Sequence, residues 1–190
     1  MTVAGLVLAA GAGRRFIASG GHGPKPRATV GGVPIVVAAL RAAVAAGLDE
    51  VVLVQGATDL ADLVPTGVVV LDNPRWAEGL ATSLHVALDH ARAAGHDAVV
   101  VGLGDQPGVR KEAWAVLAVA SSVPPIAVAT YDGRRGNPVR LHQTVWDLLP
   151  TIGDEGARAV MRRRPDLVRE IPCIGDPHDV DTLEDLDRWS

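Results

Sequence analysis

Aromatic residues make up only 3% of the 190-residue chain: four tryptophans, one tyrosine and one phenylalanine. An apolar content of 48% must therefore build its core from Val, Leu, Ala and Ile. Cysteine occurs once, at Cys173, which excludes an intrachain disulfide and suits a reducing compartment with an inert thiol. No apolar run reaches membrane-spanning length, and no basic segment precedes an apolar one at the start. The expectation is a soluble, cytoplasmic protein without a signal peptide and with no membrane partner. Positive charge is not in excess either: a net charge of −4 argues against wholesale nucleic-acid binding. Internal repeats, low-complexity tracts and linkers are absent, and the length suits one domain.

Glycine and cations, by contrast, are concentrated in residues 6–27. An apolar run over residues 3–10 reads as a strand buried on both faces. It breaks into Gly11-Ala12-Gly13, where bare backbone can turn tightly and approach a ligand. Arg14 and Arg15 follow, then a second glycine-rich piece, residues 20–24, delivers Lys25. Strand, glycine turn and clustered cations together present N–H groups and positive charge to phosphates. A Walker A loop is excluded, because Lys25 is followed by Pro26. The dinucleotide fingerprint fails as well: Phe16 stands where its third glycine belongs, and Gln55 follows the second strand where an acid is required. What remains is Leu-Ala-Ala-Gly-x-Gly-x-Arg with a downstream lysine. The plain alternative is a strand-to-helix turn with surface arginines.

Along the chain, short apolar strands alternate with helices. Strands are expected at residues 51–54, 68–71, 98–103, 126–130, 138–141 and 167–174. Helices are expected at 34–46, 57–63, 78–94, 110–120, 144–149, 155–164 and 182–189, with a cationic turn at 131–136. Apolar rather than alternating strands, separated by helices, predict an α/β, three-layer, Rossmann-like sandwich around a mainly parallel sheet. Ligands of such sheets lie across the carboxyl ends of the strands. Asp105 follows the strand at 98–103 and suits a divalent metal, or else caps a helix. Asp181 taken alone reads as a cap. Asn73 and Ser83 can face a base or ribose, or form an ordinary capping arrangement. Arg135, Gly136, Asn137 and Pro138 can hold an acceptor's phosphate or form a solvated turn. The arginines at 158 and 162–164 read as solvent-facing.

Five segments in order carry a resemblance: Leu8-Ala9-Ala10-Gly11 with Arg15; Asn73-Pro74 with Glu78-Gly79 and Ser83-Leu84; Gly104-Asp105-Gln106-Pro107; Arg135-Gly136-Asn137-Pro138; and residues 153–158 with the closing 179–182. The sequence resembles the molybdenum cofactor cytidylyltransferases, compact nucleotidyltransferases of the nucleotide-diphospho-sugar transferase fold. That resemblance implies transfer of CMP from CTP to a phosphorylated pterin-type acceptor, with release of pyrophosphate. It implies Arg15, Lys25 and Asp105 as catalytic residues, and Mg²⁺, with Mn²⁺ as an alternative, on Asp105 and Asp181. Nucleotide contacts are implied for Leu8, Ala9, Ala10, Gly11, Ala12, Gly13, Arg14, Arg15, Lys25, Gln55, Asn73, Ser83 and Asp105. Acceptor contacts fall on Arg135, Gly136, Asn137 and Pro138. Residues 1–110 would form a nucleotide half and 111–190 an acceptor half, and a molybdoenzyme or its chaperone would be a transient partner. In that family the Leu-Ala-Ala-Gly form goes with CTP. This chain departs from the pattern in a longer loop at 17–24, in Pro26-Arg27 after the lysine, and in Asn137 where a histidine is usual. Two other readings stay open: another small phosphorylated acceptor, and a nucleotide-binding maturation chaperone without chemistry.

Overall fold

The computed structural model describes residues 1–189. In chain order its elements are β1 (Val3–Leu8), α1 (Arg14–Ala18), β2 (Thr29–Val30), β3 (Val33–Pro34), α2 (Ile35–Ala45), β4 (Glu50–Gln55), β5 (Val68–Asp72) and α3 (Leu80–Ala93). They continue with β6 (Ala98–Leu103), α4 (Lys111–Ala118), β7 (Ile126–Tyr131), β8 (Arg134–His142), α5 (Ala157–Arg163), β9 (Val168–Pro172) and α6 (Leu183–Asp187). Seven strands form one sheet in the order β5-β4-β1-β6-β8-β7-β9, and β2 and β3 form a separate small ribbon. Within the seven-stranded sheet only β8 runs against its neighbours, antiparallel to both β6 and β7, and the other pairings there are parallel; the β2–β3 ribbon is antiparallel. The architecture is the mostly parallel three-layer α/β sandwich that the sequence predicts.

Side-chain alternation along the strands explains the uniform burial of β1. Val7, Leu53 and Val100 face a layer built from α2 and α4, including Leu40, Trp114 and Leu117. Leu6, Val52 and Val99 face the opposite layer, with Leu84 and Leu88 of α3, Trp146 and Met161. Both faces are covered at β1, so each of its residues is apolar regardless of phase. No helix among the described residues is long and apolar enough to cross a membrane.

Several expected elements change. The helix expected at 57–63 reduces to a 3-10 turn, Ala61–Leu63. Asp59 Oδ1 accepts from the Ala61 N–H and Gln55 Oε1 from the Leu60 N–H, so side chains replace helical partners. The cationic turn at 131–136 is instead a tight hairpin. Asp132 and Gly133 take φ of 49° and 76°, a pair of positive values suited to a two-residue turn. Arg134, Arg135 and Gly136 thereby join the nine-residue β8. The helix at 78–94 begins only at Leu80, because Gly79 sits at φ 111°. The segment at 144–149 is a 3-10 turn, Gln143–Leu148, and the last helix shortens to α6, opened by a Thr182–Asp185 capping box. The short α1 after the glycine turn has no counterpart among the expected elements.

Candidate active site

The site grows from the carboxyl end of β1. Ala9 N–H donates to the Val54 carbonyl at 2.9 Å, carrying the chain over the sheet edge before it turns. Gly13, at φ 63°, opens α1, and a Cβ there would lie 2.7 Å from the Lys25 Cβ. Only glycine lets the two segments meet so closely. Phe16, in the position that defeats the dinucleotide reading, is 1% exposed and packs over Gly21. It folds the long 17–24 loop back on itself and so brings Lys25 to the sheet edge.

On the neighbouring strand, Gly104 N–H donates to the Leu8 carbonyl at 2.9 Å, which fixes the end of β6 beside that of β1. Asp105 comes next. Its carbonyl accepts from the Val180 N–H at 2.9 Å, drawing the closing segment and Asp181 to the same edge. Lys25 Nζ then donates to Asp105 Oδ2 at 2.6 Å and to Asp181 Oδ1 at 3.1 Å. Arg15 Nη1 lies 2.7 Å from Asp181 Oδ2. Burial alone would push the Lys25 ammonium down, but the Asp105 charge and the hydrogen bonds that Lys25 donates to both carboxylates outweigh it and hold it above its ordinary value. Asp105 Oδ1 is buried and makes no hydrogen bond among the described residues.

A third carboxylate stands behind this group. Asp179 is pushed up by burial and then by the Asp105 charge, against the hydrogen bond from Gln106. Gln106 Nε2 donates to Asp179 Oδ1 at 2.7 Å and to the Pro177 carbonyl at 2.8 Å. Its Oε1 accepts from Asn137 Nδ2 at 3.2 Å, while Tyr131 donates to the Asn137 carbonyl at 2.7 Å. Asn137, the residue that departs from the family pattern, is thus tied through Gln106 to the acidic cluster.

Two clefts meet here. One, of ≈ 300 Å³, runs along the glycine turn and is lined by Leu8, Ala9, Ala10, Gly11, Gly13, Arg14, Arg15, Lys25, Ser83 and Asp105 among the expected nucleotide contacts. The other, of ≈ 520 Å³, is lined by Arg135, Gly136 and Asn137 over an apolar floor that includes Val128, Val139, Leu141 and Met161. Arg15, Asp105, Asp154 and Asp181 belong to both walls.

Four expected contacts lie elsewhere. Gln55 is 6% exposed, donates to Asp72 and accepts from the Leu60 N–H; it closes the end of β4. Asn73, 2% exposed, donates to the hydroxyls of Thr82 and Ser83 and accepts from the Arg75 N–H. Both amides hold strand ends and the start of α3, and neither lines the first cleft. Ala12 and Pro138 are absent from the cleft walls, and Pro138 is buried.

Sequence reasoning missed Asp154, Asp179 and Arg158. Asp154 Oδ1 accepts from the Leu80 N–H at 3.2 Å and so caps α3 from a distant loop. Arg158 is exposed, as expected, but it also lines the second cleft and has no ion-pair partner among the described residues, whereas Arg135 is paired with Glu170 and Arg162 with Glu155. The signal for all three is their membership of the segments at 153–158 and 179–182, which carry the family resemblance.

Residues 5–168 match the MobA-like NTP transferase domain. The chain belongs to this family. It is a nucleotidyltransferase, and a nucleoside triphosphate is its substrate class. It is 33% identical over 202 residues to the nicotine blue oxidoreductase of Paenarthrobacter nicotinovorans, covering 98% of this chain and 95% of that protein. Among solved structures it is similar to Rv0371c of Mycobacterium tuberculosis, with 30% identity, a TM-score of 0.81 and coverage of 100% and 97%. A complex of that Mycobacterium tuberculosis protein with manganese aligns at 29% identity and a TM-score of 0.78, covering 100% and 98%.

Proposed function

We propose that this nucleotidyltransferase moves CMP from CTP onto the terminal phosphate of a molybdopterin-type acceptor. The observation that carries this reading is the meeting of two clefts at one charged cluster, Arg15, Lys25, Asp105 and Asp181. An acceptor phosphate oxygen attacks the α-phosphorus, the bond to the β-phosphate breaks, and pyrophosphate leaves with the electron pair. The attacking oxygen is already anionic, so no general base is needed; alignment and charge neutralisation supply the rate.

The residues fit a divalent ion. Asp105 keeps one buried oxygen without a hydrogen bond, and Asp181 stands across from it. No group of three or more His, Cys, Asp or Glu side chains that could hold a metal occurs among the described residues. Two carboxylates completed by substrate phosphates is how Mg²⁺ is commonly held, and Mn²⁺ shares that chemistry. When bound, the ion would neutralise charge on the triphosphate. Arg15 and Lys25 bind the departing phosphates, aided by the N–H groups of residues 11–14. Ala10, 5% exposed and packed against Gly56, stands in the wall of the first cleft, and the Leu-Ala-Ala-Gly form that it completes supports cytosine over guanine. The apolar floor of the second cleft suits a flat ring system; a polyol's hydroxyls would lie against it unpaired.

The test is an acceptor screen scored by pyrophosphate release, with CTP and GTP in parallel and molybdopterin, a sugar phosphate and a polyol phosphate as acceptors. Release confined to CTP with molybdopterin is the expected result. Release with another acceptor only would reassign the substrate, and binding without release would favour a maturation chaperone. A redox reading is favoured by one observation, the 33% identity to an oxidoreductase. Including a reduced nicotinamide nucleotide and following its oxidation distinguishes it.

A further inference from the structure

The two carboxylates that suit a divalent ion are already bridged by a cation of the protein's own. Lys25 Nζ contacts Asp105 Oδ2 and Asp181 Oδ1, at 2.6 Å and 3.1 Å, and its side chain is only 12% exposed. Arg15 takes the remaining oxygen of Asp181. The group therefore holds two positive and two negative charges before any ligand arrives. A metal ion held by both carboxylates would find Asp105 Oδ1 free but would compete with Lys25 and Arg15 for the Asp181 oxygens, and displacing the largely buried ammonium would leave it short of partners, which is costly. A triphosphate removes that penalty, because its oxygens offer Lys25 and Arg15 new acceptors as the carboxylates are released.

We propose that Lys25 makes metal and nucleotide occupancy depend on each other, by holding Asp105 and Asp181 closed to a divalent ion until a triphosphate draws it away. This deepens the nucleotidyltransferase reading of the same cleft but requires neither the identity of the base nor that of the acceptor. Arg15 cannot take this part, since it reaches Asp181 alone. By linkage, whatever the nucleotide adds to metal affinity the metal adds to nucleotide affinity. The family's metal site, by itself, would require no such dependence.

Manganese is the probe, titrated into the nucleotide-free full chain and followed by the electron paramagnetic resonance of free Mn²⁺. The wild-type chain should bind it weakly. Lys25→Met should bind at least about tenfold more tightly, within the usual range of coupling between two sites. Lys25→Gln, which keeps donors for the carboxylates but no charge, should also tighten binding and serves if the methionine variant does not fold. A merely structural role for Lys25 would weaken Mn²⁺ binding when the residue is lost. Equal or weaker binding in a folded variant therefore overturns the proposal. Because neither CTP nor acceptor is present, a failed acceptor screen beside tighter Mn²⁺ binding would sink the substrate assignment and leave the coupling standing.

Discussion

The two clefts differ in what their cations are doing. Along the glycine turn, Lys25 and Arg15 are committed to Asp105 and Asp181 in a compact, charge-balanced cluster. Across the junction, the cations stand on the rim of an apolar floor: Arg135 and Arg162 pair with exposed glutamates, and Arg158 forms no ion pair among the described residues. A partly buried cluster fails as a unit when one member is lost, because a charge is stranded. Exposed rim pairs contribute little each, so their loss is spread thin. The nucleotide side should therefore respond to mutation steeply and the acceptor side gradually.

The steepest response is expected at Asp105. Asp105→Asn leaves Asp181 as the one charged partner of Lys25 in this pair and replaces one of the two Asp105 oxygens by an amide NH2, which cannot hold a cation. Pyrophosphate release in CTP with Mg²⁺ should fall by about 10²–10³, the scale of losing one preorganised electrostatic group. Asp181→Asn should act similarly, and the double variant should be scarcely worse than either single one, since both disable one unit. Additive losses would show two independent caps rather than one site.

That contrast was only half legible in the sequence. Residues 3–10, 51–54 and 98–103 are apolar in both phases, so the parallel part of the sheet could be read from the strands themselves. Asp105 and Lys25 were legible too, because each has a stated place after a strand or a glycine turn. The part around β8 was not. Its polar start at Arg134 and Arg135 looks like a turn, and only pairing with β7 through a two-residue hairpin shows it to be strand. Gln55 and Asn73 are ambiguous for a related reason: an amide at a strand end suits a ligand and a buried cap equally, and only the partner decides. That Lys25 meets carboxylates in the absence of ligand depends on contacts 80 and 156 residues away, which no local pattern records.

The junction itself can be broken at Gly79. Its φ of 111° and ψ of 171° are reached almost only by glycine, and an added Cβ would fall 2.5 Å from the Gly153 carbonyl carbon. Gly153 accepts from the Ala81 N–H at 2.9 Å and donates to the Glu78 carbonyl at 3.0 Å, so the clash lies where the 153–154 loop docks on α3. Gly79→Ala should cost about 1–3 kcal/mol. For a chain of this length the melting temperature should fall by about 2–4 °C per kcal/mol. Thermal unfolding checks it, and an unchanged midpoint would show that the loop is free to move aside.

Arg158 sharpens the comparison from the acceptor side. Arg158→Met should raise KM for the acceptor about tenfold, in line with losing one hydrogen bond to a charged group, while KM for CTP stays within about twofold. Arg135→Met should change acceptor KM by less than about threefold, because its guanidinium is already paired with Glu170 at the surface. The reverse ranking would return the acceptor's phosphate to Arg135.

The smallest effect is expected at Asp179, and its sign is opposite. Burial and the nearby Asp105 and Asp181 charges raise this carboxyl above its ordinary value, with only Gln106 and Lys25 easing it. A carboxyl raised in the folded state favours the protonated form there. Its contribution to stability is therefore best below the unfolded value, about 3.9, and is lost as pH rises through the folded one. At neutral pH the ionised group is a liability that an amide would not carry. Asp179→Asn keeps an oxygen at Oδ1 to accept from Gln106 Nε2 while removing the charge. With the partial exposure of the group discounted, the metal-free protein should gain less than about 1 kcal/mol and melt about 1–3 °C higher at pH 7. The gain should shrink as the buffer is taken down towards pH 4. A variant that melts lower at pH 7, or whose gain grows on acidification, would mean that the Asp179 charge is compensated in the folded chain. The acidic cluster would then be as self-contained at its rear wall as it is around Lys25.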